Sequence, residues 1–264
     1  MKKSLRIVLI VLCVAVFLVS AFFLGRYLLE SIQTRNQFDE LAQIKDQATE
    51  PTEQEEPVPA ESVEVTEPGG EEPPQILPEY AQLYTMNNDL VGWITIEDTV
   101  IDYPVLQRRE EKDYYLYRDF YGQENIHGCI YVREQCDVFA PSDNVVIYGH
   151  RMKDGSMFRQ LLDYEDQSFY EEHPTITFNT LYETHTYQII AVFKTTMDYR
   201  GFAFHHFNDA LDEEQFNDYV AKCMELALYD TGETAAYGDK LITLATCEYS
   251  EFAGRMVIVA KRIR

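Results

Sequence analysis

Lys2, Lys3 and Arg6 stand before a charge-free run from Ile7 to Gly25, which Arg26 closes. About twenty consecutive apolar residues are what a helix needs to cross a bilayer. Three basic residues ahead of the run, with no acidic residue among them, place the N-terminus in the cytoplasm. A cleaved export signal is the alternative, with Val19-Ser20-Ala21 as its small-residue site. The run continues past that site through Phe22, Phe23 and Leu24, which favours an uncleaved anchor. On either reading the chain after Arg26 lies outside the cytoplasmic membrane.

A second feature cuts the chain again. Residues 31–45 are polar and could continue the membrane helix as a stalk, but composition shifts sharply at Asp46. Seven of the ten prolines lie between Pro51 and Pro78, and ten glutamates lie between Glu50 and Glu79. Such a segment buries no core and repels itself into an extended tether. Three parts are expected: residues 1–30 as cytoplasmic N-terminus and transmembrane anchor, 31–76 as extracellular stalk and disordered linker, and 77–264 as one folded domain with a single core. The formal net charge of −23 excludes nucleic acid as a partner, because phosphate binding needs clustered Lys and Arg.

Within the folded part, a helix-like stretch over 79–88 carries Tyr80, Leu83 and Tyr84 at helical spacing. Eight runs rich in β-branched and aromatic residues follow, at 92–97, 101–107, 128–132, 144–148, 175–179, 184–195, 240–247 and 256–263. Eight short strands with few helices indicate a mainly β domain, a closed barrel or sandwich. One helix interrupts them before the seventh strand. Asp212 caps it, and Phe216, Tyr219, Val220, Cys223, Met224 and Ala227 mark one face. A shorter helix is expected after Gly155, with Ser156 as cap and Phe158, Leu161 and Leu162 inward.

Of the five cysteines, Cys13 lies in the apolar run, while Cys129 in a strand and Cys223 on a helix face read as buried. A Cys129–Cys136 bridge is a weak option. No C-x-x-C or C-x-x-H spacing is present, so no metal site is expected, and no cofactor. Among the six histidines, His205 and His206 sit in the aromatic stretch GFAFHHF, and His127, His173 and His185 have no partner legible in sequence. His150 differs: a strand delivers it at its end, after a glycine, where functional side chains sit on a rigid scaffold. Cys247 also ends a strand, and Arg255 opens the next, so a hairpin returns the guanidinium to the sulfur. A cation favours thiolate over thiol and offers fork-shaped donors to an oxyanion. A histidine supplies the proton for the leaving group. Together the three make a kit for acyl transfer.

TLATC at 243–247, Arg255 in GRMVIVAKRIR and YGHRMKDGSMF at 148–158 together resemble the signature segments of the sortases, membrane-anchored transpeptidases of Gram-positive bacteria. The VGWI and YPVLQ strands, the leading helix and the helix before the seventh strand are similar to class B. The resemblance implies an eight-stranded sortase-type β-barrel, with Cys247 as nucleophile, His150 as general acid and Arg255 as the substrate- and oxyanion-binding cation. Thr246 and Glu248 flank the thiol and are expected to shape the substrate pocket. The implied reaction cleaves a C-terminal sorting signal of an exported protein at a threonine carbonyl. The thioester then passes to an amine of a peptidoglycan precursor or a pilin. Three alternatives stay open: a pilin-polymerising sortase, a cysteine peptidase that hydrolyses the thioester, and a non-enzymatic surface-binding module using the aromatic loop at 199–207.

Overall fold

The computed structural model describes residues 3–49 and 74–264, so most of the Pro/Glu-rich segment lies outside the described residues. Helix α1 spans Lys3–Thr49 without a break, crossing the expected boundary at residue 30. Its apolar part is exposed, with Ile7, Phe17 and Phe22 each more than 60% accessible, as suits a surface made for lipid. Beyond Arg26 the helix changes partner. Thr34, Phe38 and Leu41 fall on one face at helical spacing and are buried against the folded domain. Phe38 packs edge-on against Tyr103, ring centroids 5.2 Å apart, and Lys45 sits 4.6 Å over the Trp93 ring.

Helix α2 (Pro78–Met86) starts on a proline, whose missing N–H costs nothing at that position, and buries Tyr80 and Leu83. Eight strands follow: β1 (Leu90–Thr95), β2 (Asp102–Leu106), β3 (Ile130–Val132), β4 (Asn144–Tyr148), β5 (Thr175–Thr180), β6 (Thr186–Thr196), β7 (Leu241–Cys247) and β8 (Gly254–Arg262). They close into a barrel of order β1-β2-β3-β4-β7-β8-β6-β5. Closure pairs every strand on both sides, which removes open edges. Most pairings are antiparallel, but β2 with β3 and β4 with β7 run parallel. The parallel β4–β7 pair matters most, because it brings two strand C-terminal ends to the same rim. Ile147, Leu244, Ile258 and Phe193 fill the interior with no exposed surface.

Short α3 (Gln167–Glu172) is capped by Asp166, whose side chain accepts from the Ser168 N–H. Helix α4 (Glu213–Leu226) begins at Asp212, whose carboxylate accepts from the Gln215 N–H, and buries Phe216, Tyr219, Val220 and Cys223 as its spacing predicts. The helix expected after Gly155 is instead a 3-10 helix at Phe158–Glu165, preceded by Met157 at φ 58° with no side-chain cap. Ser156 does not cap it, because its hydroxyl and N–H both turn to Asp154. The aromatic loop is also less open than expected: Phe204 and Phe207 are buried, and of its Phe and Tyr side chains Tyr199 alone is exposed. Cys129, Cys136 and Cys223 are free and buried, and burial pushes all three thiols above their usual range.

Candidate active site

Strand β4 carries five residues into the barrel wall and ends at Tyr148; Gly149 and His150 follow. Only glycine fits at 149, since a Cβ there would come within 2.7 Å of the Phe158 ring and strike Ile130. The close approach lets the chain turn over the barrel rim and present His150. Its ring Nε2 lies 2.7 Å from the Leu116 carbonyl, which can only accept, so that nitrogen carries hydrogen and Nδ1 is left to exchange a proton. The Tyr117 ring, 5.2 Å away, bounds the imidazole on one side. Burial lowers the His150 pKa, the Leu116 carbonyl pulls it back up, and His127 and Arg255 nearby lower it further.

Strand β7 runs parallel to β4 with Tyr148 opposite Ala245. The Thr246 hydroxyl donates to the Gly149 carbonyl at 2.8 Å, stitching the thiol's strand to the histidine's. Cys247 is the last residue of β7 and half-buried, unlike the three inert thiols. Across the antiparallel β7–β8 ladder its direct partner is Arg255. The Arg255 guanidinium donates one N–H to the Gly254 carbonyl at 2.9 Å. A guanidinium has five donors, so a fork remains for a ligand.

The turn between these strands is held from within. Glu248 accepts from the Ser250 N–H at 3.0 Å and from its hydroxyl, and its own N–H donates to the Gly254 carbonyl at 2.9 Å. Burial raises the Glu248 carboxyl, but Ser250 and the positive Lys194 and Arg151 hold it below the ordinary range. Ala253 takes a left-handed φ of 57° in the same turn, a conformation that costs a non-glycine residue about a kcal/mol or more.

His150, Thr246, Cys247 and Arg255 all line one pocket of about 220 Å³, whose wall also includes Lys112, Asp113, Arg133, Glu134, His205 and His206, with Leu116 and Met197 beside them. Glu248 is not part of that lining; its carboxylate faces the turn. A larger concavity of about 790 Å³ near α3 has four carboxylates in its wall and no thiol, imidazole or guanidinium, so it lacks the groups for acyl transfer.

Sequence reasoning did not single out Lys112, Leu116, Arg133 or Met197, and it left His205 and His206 as ordinary loop histidines. Nothing in periodicity marks them, because they come from loops and strand ends far apart in the chain. Tyr249 is a nearer miss. It follows the thiol by two residues, its ring lies 4.7 Å under the Arg151 guanidinium, and burial together with the Cys247 sulfur raises its hydroxyl pKa.

The sortase domain family matches residues 94–263 of the chain. Sortase B of Listeria monocytogenes serovar 1/2a is 32% identical over 266 residues, spanning 99% of this chain and 96% of that protein. Among solved structures, a Staphylococcus aureus sortase B–substrate complex superposes with a TM-score of 0.74 at 27% identity, covering 89% of this chain and 99% of that one. A sortase B complexed with triglycine gives 0.73 at 27% identity, covering 89% and 99%.

Proposed function

Since the chain belongs to the sortase family of cysteine transpeptidases and resembles its sortase B members, we propose that it cleaves a C-terminal sorting signal of exported proteins at a threonine carbonyl and transfers the acyl group to a cell-wall amine. The observation that carries this reading is the common pocket of His150, Cys247 and Arg255, with Cys247 and Arg255 directly paired across β7 and β8.

In this mechanism the Cys247 thiolate attacks the threonine carbonyl carbon, and a tetrahedral oxyanion forms. The free donors of Arg255 bind that oxyanion. As the intermediate collapses, the peptide C–N bond breaks and protonated His150 gives its Nδ1 proton to the leaving amine. A thioester on Cys247 remains. An incoming amine attacks it, His150 takes the amine's proton, and the thiolate leaves. Thr246 serves by holding the two strand ends together, and Glu248 by keeping the turn that sets Arg255 opposite Cys247.

The substrates' class draws support from solved structures: sortase B has been solved in complex with substrate and in complex with triglycine, an amine-bearing peptide. The membrane reading rests on α1. Its exposed apolar part and the basic residues ahead of it support a single-pass anchor, with the N-terminus cytoplasmic and the barrel outside.

Intact-mass spectrometry on the full-length protein in detergent tests the proposal. Incubation with sorting-signal peptides and no added amine is expected to add the mass of the N-terminal peptide fragment. The adduct should be absent in Cys247→Ala and should discharge when an amine is supplied. Failure of every peptide to form an adduct, with Cys247 slow to alkylate, would overturn the transpeptidase reading.

A further inference from the structure

The pocket wall beyond the three reactive residues carries charges of both signs. The chain has 45 acidic and 22 basic residues, and several basic groups elsewhere are paired: Arg108 with Asp89, Arg109 with Asp137, Lys194 with Glu165, Lys240 with Asp143. Lys112 and Arg133 line the pocket, yet among the described residues neither forms an ion pair. Two carboxylates, Asp113 and Glu134, line the same wall; each takes a hydrogen bond from a neutral donor, and among the described residues neither is ion-paired with the two cations. Asp113 accepts from the Tyr131 hydroxyl at 2.9 Å and Glu134 from the Gln135 amide at 2.7 Å.

His205 adjoins the same wall, with its ring 4.2 Å from that of His206. Its Nδ1 is buried and has no hydrogen-bond partner, an arrangement that costs free energy unless something completes it. Burial, followed by the neighbouring His206, Arg133, Lys112 and Arg255, draws its pKa down to about 4. Lys112, Arg133 and Arg255 thus share one rim with the Asp113 and Glu134 carboxylates and an imidazole nitrogen lacking a partner, and none of the three cations is ion-paired among the described residues. Cations that no carboxylate contacts keep their donors free, and an anion entering there gains charge-assisted hydrogen bonds. On the function proposed above the substrates are a peptide acyl donor and an amine, and the anionic group of peptides and amino acids is the carboxylate.

We propose that Lys112, Arg133 and His205 form a carboxylate-binding subsite of the active-site pocket, reading an acidic group carried by the sorting signal near the cleaved bond or by the incoming amine. This rests on the transpeptidase function above. It differs from a general role for these cations in stabilising the thiolate, which would act equally on every substrate.

The test uses full-length protein in detergent and reads ratios of kcat/KM. In one arm, donor peptides differ only by Glu or Gln at a single position on either side of the threonine. In the other, the acceptor is 6-aminohexanoic acid or its amide. The wild type should favour the carboxylate by about tenfold in one of the two arms, the effect of one charge-assisted contact, and that arm identifies the source. Lys112→Gln/Arg133→Gln should bring the ratio close to one, and His205→Gln should lower it part-way. A wild-type ratio near one in both arms, a ratio unchanged in the double variant, or equal losses on acidic and neutral substrates would overturn the proposal. Calorimetry of the same ligands on Cys247→Ala keeps the question separate from catalysis. If no adduct forms on the native protein, the transpeptidase reading fails. The subsite then stands only if acidic ligands still bind Cys247→Ala more tightly than neutral ones and lose that advantage in the double variant.

Discussion

At the scale of single residues, Arg255 has the most demanding task, since it must present a planar fork to an oxyanion while spending one donor on the Gly254 carbonyl. Arg255→Lys keeps the charge and loses the fork. It is expected to lower kcat by about 10²-fold, the usual effect of losing one oxyanion donor, with little change in melting temperature; normal turnover in a single-turnover assay would remove the oxyanion role. The histidines of the pocket make a second prediction. His150 and His205 both titrate below their ordinary value of 6.5, His205 at about 4, chiefly through burial. The unfolded chain therefore binds protons on these groups before the folded one does. Their contribution to stability is intact above pH 6.5 and falls as pH drops from there towards 4. His205→Gln should flatten the fall of melting temperature across that window, and an unchanged slope would mean the imidazole is solvated. His127 illustrates what sequence could not give at this scale. It reads as a histidine without a partner, yet its ring is buried, bonded to Asp154 at 2.9 Å and stacked on Tyr27 at 6.2 Å. Both partners are distant in the chain, and nothing local points to them.

Among the elements, the strands were legible because each concentrates β-branched and aromatic residues between polar breaks; all eight appear, with ends displaced by no more than a few residues. Helix α4 was legible from its cap and its stripe. The segment after Gly155 was not, since Phe158 and Leu161 three residues apart satisfy α and 3-10 winding equally, and the choice was made by tertiary packing. The outer half of α1 reads as polar, because only every third or fourth residue turns inward. That sparse face is nonetheless packed: besides Phe38 and Leu41, Asn125 donates to the Thr34 hydroxyl at 2.8 Å and Ser31 donates to Asp154. Phe38→Ala is expected to cost about 3 kcal/mol, which calorimetry would read as roughly 6–12 °C in a protein of this size. A negligible change would show that residues 31–45 are not docked. Asp212→Ala, which removes the α4 cap, should cost about 1 kcal/mol and leave thioester formation unaffected.

For the molecule as a whole, the site exists only once the barrel has closed. Its histidine and thiol stand at the ends of β4 and β7, neighbours in space separated by more than a third of the chain, so sequence could name the residues but not the wall around them. The same closure sets where the site stands. The stack of Tyr27 on His127 begins two residues past the end of the apolar run, and His127 lies near enough to His150 to depress its pKa. With α1 in the bilayer as proposed, a rise of about 1.5 Å per residue sets the docking face within a turn or so of the lipid headgroups. Reconstituted in nanodiscs, the enzyme should process a donor anchored in the same bilayer faster than the same donor free in solution. Tyr27→Ala combined with Phe38→Ala should erode that advantage and spare the free peptide. Equal rates for both donors in the intact enzyme would contradict it. A catalyst fixed so close to its own root meets its substrates by lateral diffusion. Its throughput then follows the number of partners per unit area of membrane, and diluting the surrounding medium should leave it unchanged.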